Sequence, residues 1–193
     1  MSTPDSRRDD YIASVIVGDG ADARRPVVVV DYDPAWPAMF AALEERIRAA
    51  LGGAVIALEH VGSTSVPGLA AKPIIDIDLT VPDSADEASY VPALEAAGFA
   101  LRVREPDWHA HRMLRGTGPD CNLHVFSPGA EPPVRDLILR DHLRAHDADR
   151  DRYAEVKREL AKREWTYVQH YADAKTGVVR EILARAGYHR PLD

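Results

Sequence analysis

Residues 59–79 read E-H-V-G-S-T-S-V-P-G-L-A-A-K-P-I-I-D-I-D-L, and the last six of them decide the fold. In Ile74-Ile75-Asp76-Ile77-Asp78-Leu79 the strand period of two sends Ile75, Ile77 and Leu79 to one face and Asp76 and Asp78 to the other. One face is therefore written for a core, and the other carries two carboxylates side by side. Like charges at that range repel unless they stay solvated, share a proton or hold a cation. Magnesium suits them, because it takes oxygen ligands and is commonly held by one or two carboxylates while substrate phosphates complete its shell. Upstream, Gly62-Ser63 follows the apolar run Val55 to Val61, so a strand delivers a small-residue turn whose backbone N–H groups and hydroxyl can approach an anion closely.

Outward from this stretch the chain alternates. Val27 to Val30 reads as a strand, and Asp33-Pro34 supplies a capping acceptor with proline in the first helical turn. Trp36, Met39, Phe40, Leu43, Ile47 and Leu51 then follow helical spacing up to Gly52-Gly53. Ser65 to Ala71 reads as a short helix or turn closed by Pro73, Ala85 to Ala97 as a helix stopped by Gly98, and Phe99 to Val103 as a strand. His111 to Arg115 and Asn122 to Phe126 read as two strands joined through Gly116-Thr117-Gly118-Pro119. After Pro132-Pro133 the pattern turns helical: one helix carries Val134, Leu137, Ile138 and Leu143, a long one runs from Tyr153 to Tyr171, and a last one ends before Gly187. The expected class is α/β (α+β), a mixed sheet flanked by helices with a C-terminal helical segment. Residues 1–25 read as an arm whose apolar run Tyr11 to Val17 would add an edge strand, and residues 26–193 as the domain, helical from near 133.

Composition bounds the partners. The net charge of −7 over 193 residues argues against an extended nucleic-acid surface, which needs clustered Lys and Arg, while a single nucleotide can be met by one metal ion and a few local cations. With one cysteine, Cys121, no internal disulfide can form, and no apolar run reaches the roughly 18 residues of a membrane span. A cytoplasmic protein with no membrane contact is expected. Whether it forms a homodimer is left open.

Gly62-Ser63, twelve intervening residues and Asp76-Ile77-Asp78-Leu79 resemble the signature of the nucleotidyltransferase (polymerase-beta-like) superfamily. The full string over 59–79 resembles the hallmark of the GrpB family within it. So do V-D-Y-D-P-A-W-P at 30–37, N-L-H-V-F at 122–126, L-R-D-H-L-R at 139–144 and K-R-E-L-A at 157–161. The resemblance covers residues 27–187. It implies a nucleotidyltransferase-like sheet, Gly62 and Ser63 touching nucleotide phosphates, and Asp76 and Asp78 holding Mg2+. Superfamily members usually carry a third carboxylate on a later strand; here the matching strand offers Asn122 and His124 instead, as the GrpB pattern does.

His124 is accordingly the candidate proton acceptor, set against the plainer reading of a hydrogen-bonded interior histidine. Lys72, just before the acidic strand, and Arg112 or Arg115 are candidates to neutralise a triphosphate. His109 and His111, two apart, would share a strand face, and they and His60 read as members of hydrogen-bond networks rather than metal ligands. Arg140, Asp141, Arg144 and Lys157 either frame the cleft or form solvated ion pairs, and Trp36, Trp108 and Trp165 read as packing residues. The function expected is magnesium-dependent transfer of a nucleoside monophosphate from a nucleoside triphosphate to a small-molecule or macromolecular hydroxyl acceptor. The alternative is a weakly active or inactive nucleotide-binding module that assists a partner.

Overall fold

The computed structural model describes residues 4–191. Its centre is a five-stranded mixed sheet in the order β1-β2-β5-β4-β3, built from β1 (Ala57–Val61), β2 (Ile75–Thr80), β3 (Phe99–Glu105), β4 (His111–Gly116) and β5 (Cys121–Phe126). β2 pairs antiparallel with β1 and parallel with β5, and β5, β4 and β3 form an antiparallel meander. A parallel pair cannot be joined by a tight turn, and here the crossover from β2 to β5 contains β3 and β4 themselves.

The two faces of β2 part as the alternation predicts. Ile75, Ile77 and Leu79 are buried with Leu114, Leu123 and Val125 of the neighbouring strands. Against them lie helix α2 (Trp36–Leu51), through Trp36, Leu43 and Ile47, and helix α3 (Val91–Ala96), through Leu94. α3 is much shorter than the helix expected over 85–97, because Glu87–Ser89 forms a 3-10 turn and Tyr90, whose backbone is not helical, intervenes. Val27 to Val30 is no strand: Val30 alone makes a bridge, to Ala71. A run that meets only one partner residue gains no ladder, whatever its β-propensity.

The C-terminal part consists of α4 (Glu131–Ala145), α5 (Asp147–Ala161), α6 (Val168–Ala174) and α7 (Thr176–Arg185). Their apolar faces enclose a second core in which Leu143, Tyr153, Ala154, Val178 and Ile182 meet Val66, Leu69 and Ala70. The segment after Gly62-Ser63 is thus a plug between sheet and helices, and its burial fixes where the turn sits. The long helix expected from Tyr153 to Tyr171 is broken between α5 and α6, where Trp165 Nε1 donates to the Leu160 carbonyl at 2.9 Å and satisfies one of the helix-end acceptors.

The N-terminal arm is helical, α1 (Pro4–Val15), rather than an edge strand. Its side chains at helical spacing are spoken for: Arg8 makes two bonds to Asp173 at 2.7 and 2.8 Å, Tyr11 donates to Glu105 at 2.7 Å, and Ile12 is buried. Only its exit reaches the sheet edge, where Ile16 bridges Val103 and the Val17 N–H donates to the Arg102 carbonyl. Among the described residues no helix is long and apolar enough to cross a membrane.

Gly116 marks the tightest point of the sheet core: a β-carbon there would stand 2.6 Å from Cys121 Sγ and 2.7 Å from the Phe99 ring. Gly116→Ala is expected to destabilise the domain by about 1–3 kcal/mol, the usual range for overpacking, read as a lower urea midpoint at unchanged slope. An unchanged midpoint would show that the β3–β5 layer yields more easily than its packing indicates.

Candidate functional site

Asp76 and Asp78 emerge on the face of β2 opposite the core, with Val61 and Glu59 of β1 beside them and Asn122 and His124 of β5 directly across. Asp76 Oδ1 accepts a bond from Asn122 Nδ2 at 2.8 Å, and Asn122 Oδ1 in turn accepts from Arg115 at 2.8 Å. Asp78 has no such support. It is 4% exposed, and its Oδ2 has no hydrogen-bond partner among the described residues. Burial, then Asp136, then Asp76 push its carboxyl well above the usual carboxylate range, with Arg135 opposing. Asp136 lies on α4 beside Arg135, which donates to it at 3.1 Å, and its own carboxyl is raised first by burial. A third acid therefore does approach the pair, from a helix instead of a later strand.

The turn at Gly62-Ser63 abuts this pair. Gly62 has φ 67°, and a β-carbon on it would stand 2.6 Å from Asp76 Oδ2, so glycine is needed both for the backbone and for the close approach. Ser63 Oγ accepts from Lys157 Nζ at 2.8 Å, and Lys157 also donates to the Ala70 carbonyl. Arg144 donates twice to the Ser65 carbonyl, at 2.7 and 3.0 Å, while Arg140 reaches the His60 carbonyl at 3.1 Å and Glu59 at 2.9 Å. Arg140, Arg144 and Lys157 thus hold the turn in place from the helical side.

On the far side of the acids three residues form a chain. Glu105 Oε2 stands 2.7 Å from His111 Nδ1, and His111 Nε2 stands 3.0 Å from His124 Nδ1. Burial works against ionising Glu105, but hydrogen bonds from His111 and Tyr11 outweigh it and hold the carboxyl below its ordinary value. With Glu105 accepting a hydrogen bond from His111 Nδ1–H, His111 Nε2 accepts from His124 Nδ1–H. That assignment leaves Nε2 of His124 as the atom with a free lone pair. Burial first, and His111 second, lower the His124 imidazole to about 4, so it is neutral near pH 7.

Among the described residues no three His, Cys, Asp or Glu side chains stand close enough to cage a metal by themselves. Two carboxylates with a shell completed by phosphate are what magnesium accepts, and the orphaned, buried Asp78 oxygen is an acceptor of the kind such an ion would satisfy. Two surface hollows lie elsewhere. One of about 580 Å3 runs along α4 and α7, lined by Leu137, Ile138, His142, His146 and Arg185, and one of about 450 Å3 lies beside Ser127, Glu131 and Tyr188. Neither touches the acids or the turn, so the chemistry-bearing face is polar rather than an apolar pocket.

A family model described as GrpB protein matches residues 26–185. The chain belongs to the GrpB family. It is 54% identical over 185 residues to a UPF0157 protein of Halalkalibacterium halodurans, covering 96% of this chain and 94% of the relative. A UPF0157 protein of Streptomyces coelicolor is 43% identical over 98% of this chain and its own full length. The crystal structure of the conserved protein GrpB from Enterococcus faecalis superimposes with a TM-score of 0.72 at 28% identity, over 82% of this chain and 96% of that one. A protein named dephospho-CoA kinase from Mycolicibacterium paratuberculosis is 30% identical over 190 residues, 85% of this chain but 47% of the relative.

In this GrpB protein the structure gathers most of the residues singled out from sequence, removes Arg112 and His109, and places His60, as expected, in a hydrogen bond within the fold. Arg112 leaves the site: it pairs in register with Val125 on the core face, and its guanidinium bonds Glu87 at 2.5 Å and the Ala110 carbonyl at 3.0 Å. Arg115, the other choice on that strand, is on the acid face but is engaged by Asn122 and Asp120. His109 does not share a strand face with His111, because β4 begins at His111 and both His109 and Ala110 have positive φ, 52° and 48°. His60 faces the core, stacked on Phe40 at 4.7 Å and 3.0 Å from Thr64 Oγ1. Lys72 stays near the acids, half-buried over the Tyr171 ring at 5.7 Å, and burial, then Lys175, lower its ammonium to about 8. Sequence reasoning missed Asp136, Lys175 and the Glu105–His111 link; only the last left a signal, the period-two placement of His111 and His124 on neighbouring strands.

The pKa of Asp78 has a measurable consequence for stability. A carboxyl raised in the folded state keeps its proton while the unfolded chain has released it, so stability falls as pH rises from the ordinary carboxylate value of about 4 toward the raised one. In metal-free buffer Asp78→Asn should therefore have a higher urea midpoint than the parent at pH 8, with the difference shrinking as pH falls to 4. A pH-independent difference would mean that Asp78 is not ionised against its surroundings.

Proposed function

We propose that this GrpB protein is a magnesium-dependent nucleotidyltransferase that moves a nucleoside monophosphate from a nucleoside triphosphate to a hydroxyl acceptor. The observation that carries the reading is the Asp76–Asp78 pair, one member buried with an orphaned oxygen, abutting the Gly62-Ser63 turn. The resemblance of this turn and acid spacing to the polymerase-beta-like nucleotidyltransferases supports it. The relatives named dephospho-CoA kinase support a nucleotide-related role, although this chain has no Gly-Lys dipeptide and so no G-x-x-x-x-G-K-[S/T] phosphate loop.

Asp76 and Asp78 would hold the magnesium ion, which supplies positive charge against the oxygens of the reacting phosphoryl group. Gly62 and Ser63 offer backbone N–H groups and a hydroxyl to the phosphates, and Lys72 adds charge. His124 Nε2 takes the proton of the acceptor hydroxyl as its oxygen bonds the α-phosphorus. The bond from that phosphorus to the bridging oxygen then breaks, and pyrophosphate carries away the electron pair. His111 and Glu105 position His124 by fixing which ring nitrogen is bare. With its imidazole at about 4, His124 is always available near neutral pH but is a weak base. That low basicity is the one observation favouring the alternative, a nucleotide-binding module without chemistry.

Isothermal calorimetry with nucleoside triphosphates and magnesium tests the site, and Asp76→Ala should weaken binding at least tenfold. Equal binding by Asp76→Ala would remove the assignment. For the chemistry, His124→Ala should lower transfer by about 10²–10⁴-fold while leaving nucleotide affinity in place, the usual worth of a general base. Transfer by the parent should fall as pH drops, first because protons compete with magnesium for the raised carboxyl of Asp78 and then, toward 4, because His124 gains its proton. Undiminished transfer in His124→Ala would exclude it as the base, and no transfer to any acceptor would favour the binding module.

A further inference from the structure

Three lysines from separate parts of the chain come within electrostatic reach of Asp76: Lys72 at the end of the plug, Lys157 on α5 and Lys175 between α6 and α7. Lys157 is accounted for, donating to Ser63 Oγ and the Ala70 carbonyl and lying 4.5 Å from the Tyr153 ring centroid. Lys72 and Lys175 are different. Both ammonium groups lean on one buried ring, that of Tyr171, at 5.7 and 4.7 Å, and neither has a hydrogen bond or ion pair among the described residues. The neighbouring guanidinium groups are already neutralised, Arg115 by Asp120 at 2.8 Å and Arg158 by Asp31 at 2.6 Å. The acid felt by all three lysines is Asp76, which Asn122 already engages.

Two half-buried cations on one ring repel each other, and a single ring quadrupole cannot compensate both. Burial lowers both ammonium groups, Lys72 to about 8, which is the signature of positive charge held without a counter-charge. Lys175 lies at the junction of α6 and α7, where its backbone is helical and its N–H donates to the Ala172 carbonyl at 3.1 Å.

We propose that Lys72 and Lys175 form a seat for linked phosphates, binding a polyphosphate end without metal and without reading a base. Its place in catalysis rests on the nucleotidyltransferase reading, in which it would hold the β- and γ-phosphates that leave as pyrophosphate; its binding does not. The negative charge attracted here and the positive charge attracted by Asp76 and Asp78 belong to the two ends of one magnesium triphosphate.

Calorimetry of the full chain with inorganic tripolyphosphate in EDTA is the test. The parent should bind it at least tenfold more tightly than orthophosphate, and Lys72→Met and Lys175→Met should each weaken it at least tenfold. Lys72→Gln and Lys175→Gln, scored against the same tenfold criterion, serve if a methionine variant fails to fold by circular dichroism. No binding by the parent, equal binding of orthophosphate, or lysine variants that bind like the parent would each overturn the seat. If tripolyphosphate binds in EDTA but magnesium-dependent nucleotide binding is absent, the seat stands and the transferase reading falls.

Discussion

Two carboxylates forced onto one side of a central strand set the terms for everything around them. The alternation of β2 leaves no choice, because burying Ile75, Ile77 and Leu79 against α2 delivers Asp76 and Asp78 to the opposite face. Water relieves such repulsion at a surface, but Asp78 is out of reach of water and lacks a donor for one oxygen. The neighbours make it worse: Asp136 on α4 and Glu59 on β1 both add negative potential at Asp78. Such an arrangement is relieved by a proton on Asp78 or by a cation, and Gly62 lets the turn pack against Asp76 by having no side chain.

The helical part matters because it supplies the opposite charge. Val66 and Leu69 are buried in the core of α4–α7, so the turn that touches Asp76 is anchored by apolar contacts that have no chemistry of their own. Once that plug is seated, Lys157, Arg140 and Arg144 reach the turn, and Lys72 and Lys175 come together over Tyr171. Acids on the sheet and cations from the helical side are then brought close to one another around Asp76, which influences all three lysines. The Glu105–His111–His124 chain closes the other end and is tied to α1 through Tyr11.

Much of this was legible because short-range rules govern it. Period two fixed the faces of β2 and β5, and the strand-turn-strand logic around Gly62-Ser63 brought the turn beside Asp76. What was not legible depends on partners distant in sequence. Arg112 is one residue out of phase with the acid face, and Glu87, in a 3-10 turn that reads as helix, satisfies it on the core side. Asp136 sits within a helix whose apolar marks describe its packing, with nothing to show that its carboxyl stands over Asp78. Lys175 reads as one more exposed lysine until Tyr171 and Lys72 are seen beside it. The arm became a helix because Arg8, Tyr11 and Ile12 find Asp173, Glu105 and the domain surface, contacts that no seven-residue apolar run announces.

Anomalous diffraction from crystals soaked with Mn2+ and a non-hydrolysable nucleoside triphosphate addresses the acid pair directly. The expected result is a manganese peak at coordination distance, about 2.1 Å as for magnesium, from oxygens of both Asp76 and Asp78, with phosphate oxygens in the same shell. A manganese site elsewhere, with the oxygens of Asp76 and Asp78 bonded only to protein groups, would contradict it.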